Sequence, residues 1–339
     1  SSSRNYLLQN SKLNKLILLP SNVFSGATVD TIILLTEKAQ KTKTFHQTDV
    51  DVKVFNKKDS ITRIEEPARN FTVNTKTWKE QDAFNLQTNT EEADLIEKIE
   101  KDKKAISDIA DMYSGIKTYE VGKGKPPQTD KIRNTKPFTG KIKKDKDWSS
   151  FYDGKHIGRY QLLWENNNWI HYGEWLAAPR KPEIFLDEKI LIRKITGKTL
   201  IANYIPYTSY CNTLLFVLKI KDENYSYPAL TGVLNSSLIG WYFRKKFQIS
   251  DDDTFPQIMI RDILQFPVPE LNNETGEEIA KNVKIIIHLH KELQSAKIPS
   301  KTEQLQTRID YTDNRINQLV YQLYGLTDEE IAMVEGENN

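Results

Sequence analysis

Apolar and polar positions follow three different rhythms along the 339 residues. Near the start, "LNKLILLP", "TVDTIILL" and "DVDVKVF" are dense in Ile, Leu and Val, and the last alternates with period 2, so each predicts a strand. The near-continuous run "TIILL" predicts a strand covered on both faces, as in an α/β sheet. "LLPSNVFSGATVDTIILL" sets two such strands around a small-residue loop with one aromatic, Phe24. Three strands with barely one helical turn before them cannot close a layered α/β structure, so residues 1–70 read as the end of a larger domain.

Residues 71–90 are polar and read as a linker, with Trp78 and Phe84 tacking it onto a surface. Residues 91–275 are mixed. A helix starts at "TEEADLIEKIE", capped by Thr90, and Leu95, Ile99, Ile106, Ile109 and Met112 continue its stripe until Gly115. Strand signals follow in "RYQLLWENNNWIHYG", "KILIRKITGKTLIANYI" and "NTLLFVLKI", with "ENNN" and "TGK" as hairpin turns. "ALTGVLNSSLIGWYFRKKF" is helix-like, and Pro256, Pro267 and Pro269 limit regular structure after it.

Residues 276–339 predict a helical hairpin. Pro299 and Ser300 separate its arms, and Ser300 with Glu303 forms a capping box for the second. In that arm Leu305, Ile309, Thr312, Ile316, Leu319 and Leu323 make a heptad seam, facing Ile279, Val283, Ile286, His290 and Leu293 of the first. The fold class is therefore α+β: the end of an α/β sheet, a mixed α/β domain and a helical hairpin.

Composition narrows the function. No apolar run approaches the ~18 residues of a membrane span, and no signal peptide is visible in these residues; the use of a single cysteine suits a reducing cytoplasm. The single cysteine, Cys211, excludes an internal disulfide. Five scattered histidines offer no zinc cluster, and His288 and His290 point to different helix faces. The net charge of +2 conceals a gradient. Residues 117–146 hold ten Lys/Arg against three Asp/Glu, whereas from Glu270 onward there are seven against thirteen. The basic stretch is either the footprint of a polyanion such as DNA or a solvated lysine-rich loop.

Catalytic motifs are missing. There is no Gly-x-Ser-x-Gly elbow, and in "GKGKPPQT" prolines stand where a phosphate-binding helix would start. Asp49, Asp51 and Lys53 share one face of a strand, as a metal-dependent nuclease requires, but so short a match often arises by chance and an exposed strand face accounts for it better.

Several segments together resemble the TaqI-like C-terminal specificity domain of adenine-N6 DNA methyltransferases and fused restriction–methylation enzymes. They are "SGIKTYE", "FYDGKHIGRYQLLW", "YGEWLAAPRKPEIFLDEKILIRKITG", "LTGVLNSSLIGWYF", "FPQIMIRDILQFPVP" and "INQLVYQLYGLTDEEIAMVE", over roughly residues 105–335. The opening hairpin is similar to the last strands of the methyltransferase domain. The S-adenosylmethionine loop and the Asn-Pro-Pro-Tyr/Phe motif, upstream in that family, do not occur in these residues.

The resemblance implies that residues 91–275 recognise double-stranded DNA, and that the parent uses S-adenosylmethionine, with magnesium only if a nuclease is fused. It implies a flipped adenine with an aromatic wall, for which Phe24 is the candidate. The DNA-binding candidates are Lys117, Thr118, Lys131, Arg133, Asn134, Lys155, Arg159, Arg180, Arg193 and Lys194. Arg159 lies inside a shared motif, so it suits phosphate positioning or structural pairing better than base reading. Arg133 and Asn134 suit direct readout. Two other readings remain at this point: a protein-assembly scaffold that joins a partner through the C-terminal helices, and a stand-alone nuclease using Asp49, Asp51 and Lys53.

Overall fold

The computed structural model describes residues 2–24, 29, 31–40, 46–61, 63–79, 84–249 and 256–336. The chain divides into two compact units: residues 1–101 with 242–254, and residues 102–241 with 255–339. Both helix and open sheet are present, an α+β fold.

The first unit contains α1 (Ser2–Asn10), β1 (Ser11–Leu19), β2 (Thr31–Lys38), β3 (Asp49–Val54), β4 (Arg69–Asn74) and α2 (Thr90–Glu100). Its sheet runs β2-β1-β3-β4. β1 is antiparallel to β2 but parallel to β3, with Lys15 opposite Asp51. The period-2 pattern of β3 sends Val50, Val52 and Val54 into a core with Leu8, Leu13, Leu16, Val73 and Trp78. Asp49, Asp51 and Lys53 share the other face but do not converge on a common site. Lys15 pairs with Asp51 at 2.9 Å, and the Asn74 amide donates to Asp49 at 2.7 Å. Among the described residues no three His, Cys, Asp or Glu side chains are grouped to hold a metal.

Three local expectations change in this unit. β2 is an edge strand, not one covered on both faces: it pairs on one side only, and Ile32, Ile33 and Leu35 are 47%, 37% and 47% exposed. Residues 71–90 contain β4 and a 3₁₀ turn at Thr75–Trp78. Trp78 is fully buried there, its ring 4.8 Å from Phe84. The cap of α2 is Asn89, which exchanges bonds with Glu92 in a capping box, while the Thr90 hydroxyl accepts from the Asn74 backbone at 2.9 Å. Buried Lys245 donates to Glu92 at 2.8 Å and fastens the returning segment to this unit.

The second unit is built from β5 (Lys104–Ala105), α3 (Ile106–Ile109), β6 (Ala110–Ser114), α4 (Asp130–Thr135), β7 (Thr139–Gly140), β8 (Trp148–Tyr152), β9 (Ile157–Gly158) and β10 (Gln161–Leu162). There follow β11 (Trp169–His171), β12 (Lys189–Arg193), β13 (Ala202–Ile205), β14 (Tyr210–Cys211), β15 (Leu215–Ile220), α5 (Tyr227–Asn235) and α6 (Ser237–Lys246), whose second half belongs to the first unit. α7 (Ile260–Ile263), β16 (Pro267–Val268), α8 (Glu274–Ser295), α9 (Pro299–Tyr324) and α10 (Asp328–Gly336) complete it.

Two four-stranded sheets, β13-β12-β15-β6 and β14-β8-β11-β7, share a core that includes Tyr152, Ile170, Leu176, Phe185, Leu191 and Val217. The helical stripe expected through Met112 ends at Glu100. Asp102 takes a left-handed conformation (φ 57°), and the chain re-emerges as β6, with Met112 opposite Leu218. "TGK" does join a hairpin, β12 to β13. "ENNN" does not, because β10 pairs with β9 whereas β11 belongs to the larger sheet.

Behind the first sheet, fully buried Asn235 ends α5 and treats Ala202 as a strand neighbour. Its amide donates to the Ala202 carbonyl and accepts from the Ala202 N–H, both at 2.8 Å. α8 and α9 form the expected hairpin. Leu305, Ile309, Thr312, Ile316 and Leu319 are buried along its seam, with Leu289 taking the inward position assigned to His290. α5 packs on α8 so closely that a β-carbon on Gly232 would meet Ile279 at 2.5 Å. The seam is thus occupied within the chain. The Ser300–Glu303 capping box is absent, because Pro299 already occupies the first turn and Ile298 is the cap residue.

Candidate nucleic-acid interface

The second sheet places its aromatic side chains in register. Trp148 on β8 stands opposite His171 on β11, and their rings stack at 5.9 Å. His171 meets Trp175 at 4.5 Å, Trp175 meets Phe138 at 6.0 Å, and Phe138 stacks on Tyr119 at 5.9 Å. A second row runs from Trp169 through Trp164 to Tyr152, at 5.0 and 5.5 Å. Two exposed lysines cap these rows: Lys144 sits 4.6 Å over Trp148 and Lys143 5.4 Å over Trp169. Each such cation–π contact contributes about 0.5–1 kcal/mol at an exposed site. The ammonium groups remain on the surface, on stems braced by rings.

The basic stretch beside this sheet is ordered by one buried amide. Gln128, 2% exposed, accepts from the Glu120 backbone at 2.9 Å and donates to the Thr118 and Trp175 carbonyls at 2.9 and 2.8 Å. Gly124 (φ +89°) lies against the Trp175 carbonyl, where a β-carbon would stand 2.5 Å away. Thr129 then caps α4, and the Tyr119 hydroxyl accepts from the Phe138 N–H at 2.8 Å. Burial pushes the Tyr119 hydroxyl above its ordinary pKa, so it stays protonated as a hydrogen-bonding strut.

The structure brings most of the sequence candidates to this neighbourhood. Lys117 and Thr118 pair with Ala177 and Ala178, and Lys117 also meets Glu120 at 2.7 Å. Arg180 donates to the Gly115 carbonyl at 3.3 Å, beside them. Lys131, Arg133 and Asn134 project from α4 and are exposed, with Arg133 held by Asp130 at 3.0 Å. A second group surrounds the turn at Asn212–Leu215. Arg193 pairs with Leu215, the Lys194 N–H donates to the Leu214 carbonyl, and Lys155 follows Gly154, which abuts Leu214. This turn also touches Gly115 and Ile116, linking the two groups.

Arg159 stands apart. It grips Asp313 of α9 with two nitrogens, at 2.8 and 3.0 Å, and donates to the Asn235 carbonyl at 3.0 Å. Phe24, in the other unit, is 56% exposed, and its neighbours Ser25–Ala27 lie outside the described residues. Gln128, Trp148, Trp169 and Trp175 were not singled out from sequence. Gln128 bonds residues 8, 10 and 47 positions away, a pattern no local window contains. Cys211 is buried and its thiol is pushed up to about 12 by burial, which removes it as a nucleophile.

Residues 149–268 match the profile of the TaqI-like C-terminal specificity domain. Over 330 residues the chain is 25% identical to a putative type II restriction enzyme and methyltransferase, RM.MjaORFECS2P, of Methanocaldococcus jannaschii. That alignment covers 96% of this chain and 26% of the relative, so the chain spans about a quarter of the relative's length. Among solved structures it is similar to the type IIL restriction–modification enzyme MmeI in complex with DNA (11% identity, TM-score 0.48, 97% of this chain and 45% of that one). It is also similar to the type IIG restriction endonuclease BpuSI (10% identity, TM-score 0.39, 95% and 45%).

Proposed function

We propose that this chain, whose residues 149–268 match the TaqI-like C-terminal specificity domain, binds duplex DNA and selects its target sequence as the specificity portion of a restriction–modification enzyme. The observation that carries the reading is the pair of exposed lysines, Lys143 and Lys144, seated over Trp169 and Trp148 of β11 and β8, beside a basic segment that Gln128 orders. Lysines neutralise phosphates and release counterions, which gives affinity without sequence choice. Choice requires side chains at base edges. Arg133 and Asn134, exposed on α4, have the chemistry for guanine and adenine respectively. Lys117, Thr118, Lys131, Lys155, Arg180, Arg193 and Lys194 take the phosphate role, and Arg159 positions the domain against α9.

In the parent enzyme the reading extends to adenine-N6 methylation with S-adenosylmethionine as donor, and to magnesium-dependent cleavage where a nuclease is fused. Exposed Phe24 would there wall the pocket of a flipped adenine. Such an enzyme works in the cytoplasm, on cellular or invading phage DNA. No helix among the described residues is long and apolar enough to cross a membrane.

The test is fluorescence anisotropy of labelled duplexes between about 50 and 400 mM NaCl, across which the screening length shrinks about threefold. The reading expects log K to fall linearly with log[salt], and enrichment from a random pool to yield one defined motif. Salt-insensitive binding, or a pool without a motif, overturns it.

A further inference from the structure

The acidic tail contains a basic exception. Residues 281–301 hold five lysines, Lys281, Lys284, Lys291, Lys297 and Lys301, against a single acid, Glu292. All five are exposed, and none has an ion-pair partner among the described residues; Glu292 itself faces His288 at 3.5 Å. The helix period collects Lys281, Lys284, His288 and Lys291 on one outward face of α8, while the short connector adds Lys297 and Lys301. One groove lined by Lys281, Lys284 and His288 continues into a second lined by His288, Lys291, Lys297 and Lys301. Two of the tail's acids are engaged elsewhere: Glu278 holds Arg315 at 2.7 Å, and Asp313 holds Arg159 at 2.8 Å. Glu277 lines the first groove and Glu292 both, so the cationic excess is greatest at the connector, with Lys291, Lys297 and Lys301.

This cationic tip adjoins the aromatic surface. Gln294, near the end of α8, donates to the Leu162 carbonyl at 2.8 Å. Two residues on is Trp164, whose ring contacts Trp169, which lies beneath Lys143. Unpaired ammonium groups raise the local positive potential and favour a polyanion over a protein of ordinary mixed charge.

We propose that the tip of the α8–α9 hairpin is a second phosphate-binding surface, which grips the backbone of the duplex held by the aromatic surface. The inference rests on the DNA reading above and deepens it. The acidic end of the chain then contributes to DNA affinity, although its net charge points the other way.

The test compares three versions of the 339-residue chain on one non-target labelled duplex: wild type, the Lys291→Gln/Lys297→Gln/Lys301→Gln variant and the Lys143→Gln/Lys144→Gln variant. If each tip lysine meets one phosphate, the triple variant has a log K–log[salt] slope shallower by about 2–3 and binds at least tenfold more weakly near 100 mM salt. Unchanged slope and affinity in the triple variant, with loss in the Lys143/Lys144 variant, overturns the inference and leaves the DNA reading standing. Absence of salt-dependent binding in the wild type overturns both.

Discussion

The Arg159 guanidinium meets the Asp313 carboxylate fork to fork, with nitrogen–oxygen distances of 2.8 and 3.0 Å, and so ties the segment after β9 to the middle of α9. The pair is partly buried, at 29% and 22% side-chain exposure. Two parallel charge-assisted bonds in such surroundings are strong, and removing one partner strands the other. Arg159→Ala is expected to destabilise the second unit by about 2–4 kcal/mol. Arg159→Lys should recover only part of this, because an ammonium cannot present the planar fork. Urea unfolding checks both. A loss below about 0.5 kcal/mol for Arg159→Ala would place the residue on the surface instead.

Gln128→Ala removes three bonds at once and leaves the Thr118 and Trp175 carbonyls and the Glu120 N–H without their side-chain partner. Each unsatisfied buried group costs about 1–3 kcal/mol. Hydrogen exchange should therefore accelerate about 30-fold or more across residues 117–128, while the helical hairpin keeps its protection. DNA affinity should fall with it. Unaltered exchange in that segment would show that other contacts order the loop.

Positioning and reading residues respond differently to mutation. Lys143→Gln with Lys144→Gln should weaken all duplexes alike and flatten the salt slope by about 2. Arg133→Ala should relax preference at one base pair, with about 1–3 kcal/mol less discrimination there. Pool enrichment on both variants separates the roles, and an unchanged motif for Arg133→Ala removes that residue from base readout.

Acid should weaken the second unit. His156 is buried, and burial holds its pKa below the ordinary histidine value; its Nδ1 accepts from the Asp153 N–H at 2.9 Å, which requires a neutral ring. Half-buried His290 is shifted down for the same reason. A folded pKa below the unfolded one means that the unfolded chain binds more protons as pH falls, so the stability present above about pH 6.5 is lost below it. Unfolding midpoints measured from pH 7.5 to 5 should decline through that window. An imidazole NMR titration of His156 with a midpoint above 6.5 would reverse the sign and refute the account.

Sequence periodicity carried the local architecture well where burial follows one period. β3 alternates as read, and the α9 seam from Leu305 to Leu319 is buried as read. It failed where a distant partner decides. The apolar spacing from Leu95 to Met112 fits a helix, yet Asp102 turns left-handed and Met112 joins a strand opposite Leu218, over a hundred residues away. The candidate site divided in the same way. Its charges were visible one by one, whereas the ring contacts that assemble Tyr119, Phe138, Trp175, His171 and Trp148 into a row span the whole sheet. Arg159 was legible as a motif residue, but its partner lies 154 positions later.

Asn235 shows how narrowly a fold can constrain one letter of its text. Its side chain stands in for a peptide group, giving one hydrogen bond to Ala202 and taking one back. Aspartate offers acceptors but no donor, glutamine sets the same amide one methylene too far out, and leucine has the shape without either function. At a fully buried position a mismatch leaves a backbone group of Ala202 without its partner, so asparagine is the side chain that fits. An engineer recombining domains of this kind can vary the exposed positions of α4, Arg133 and Asn134 among them, and should use this asparagine as the fixed point from which to align them.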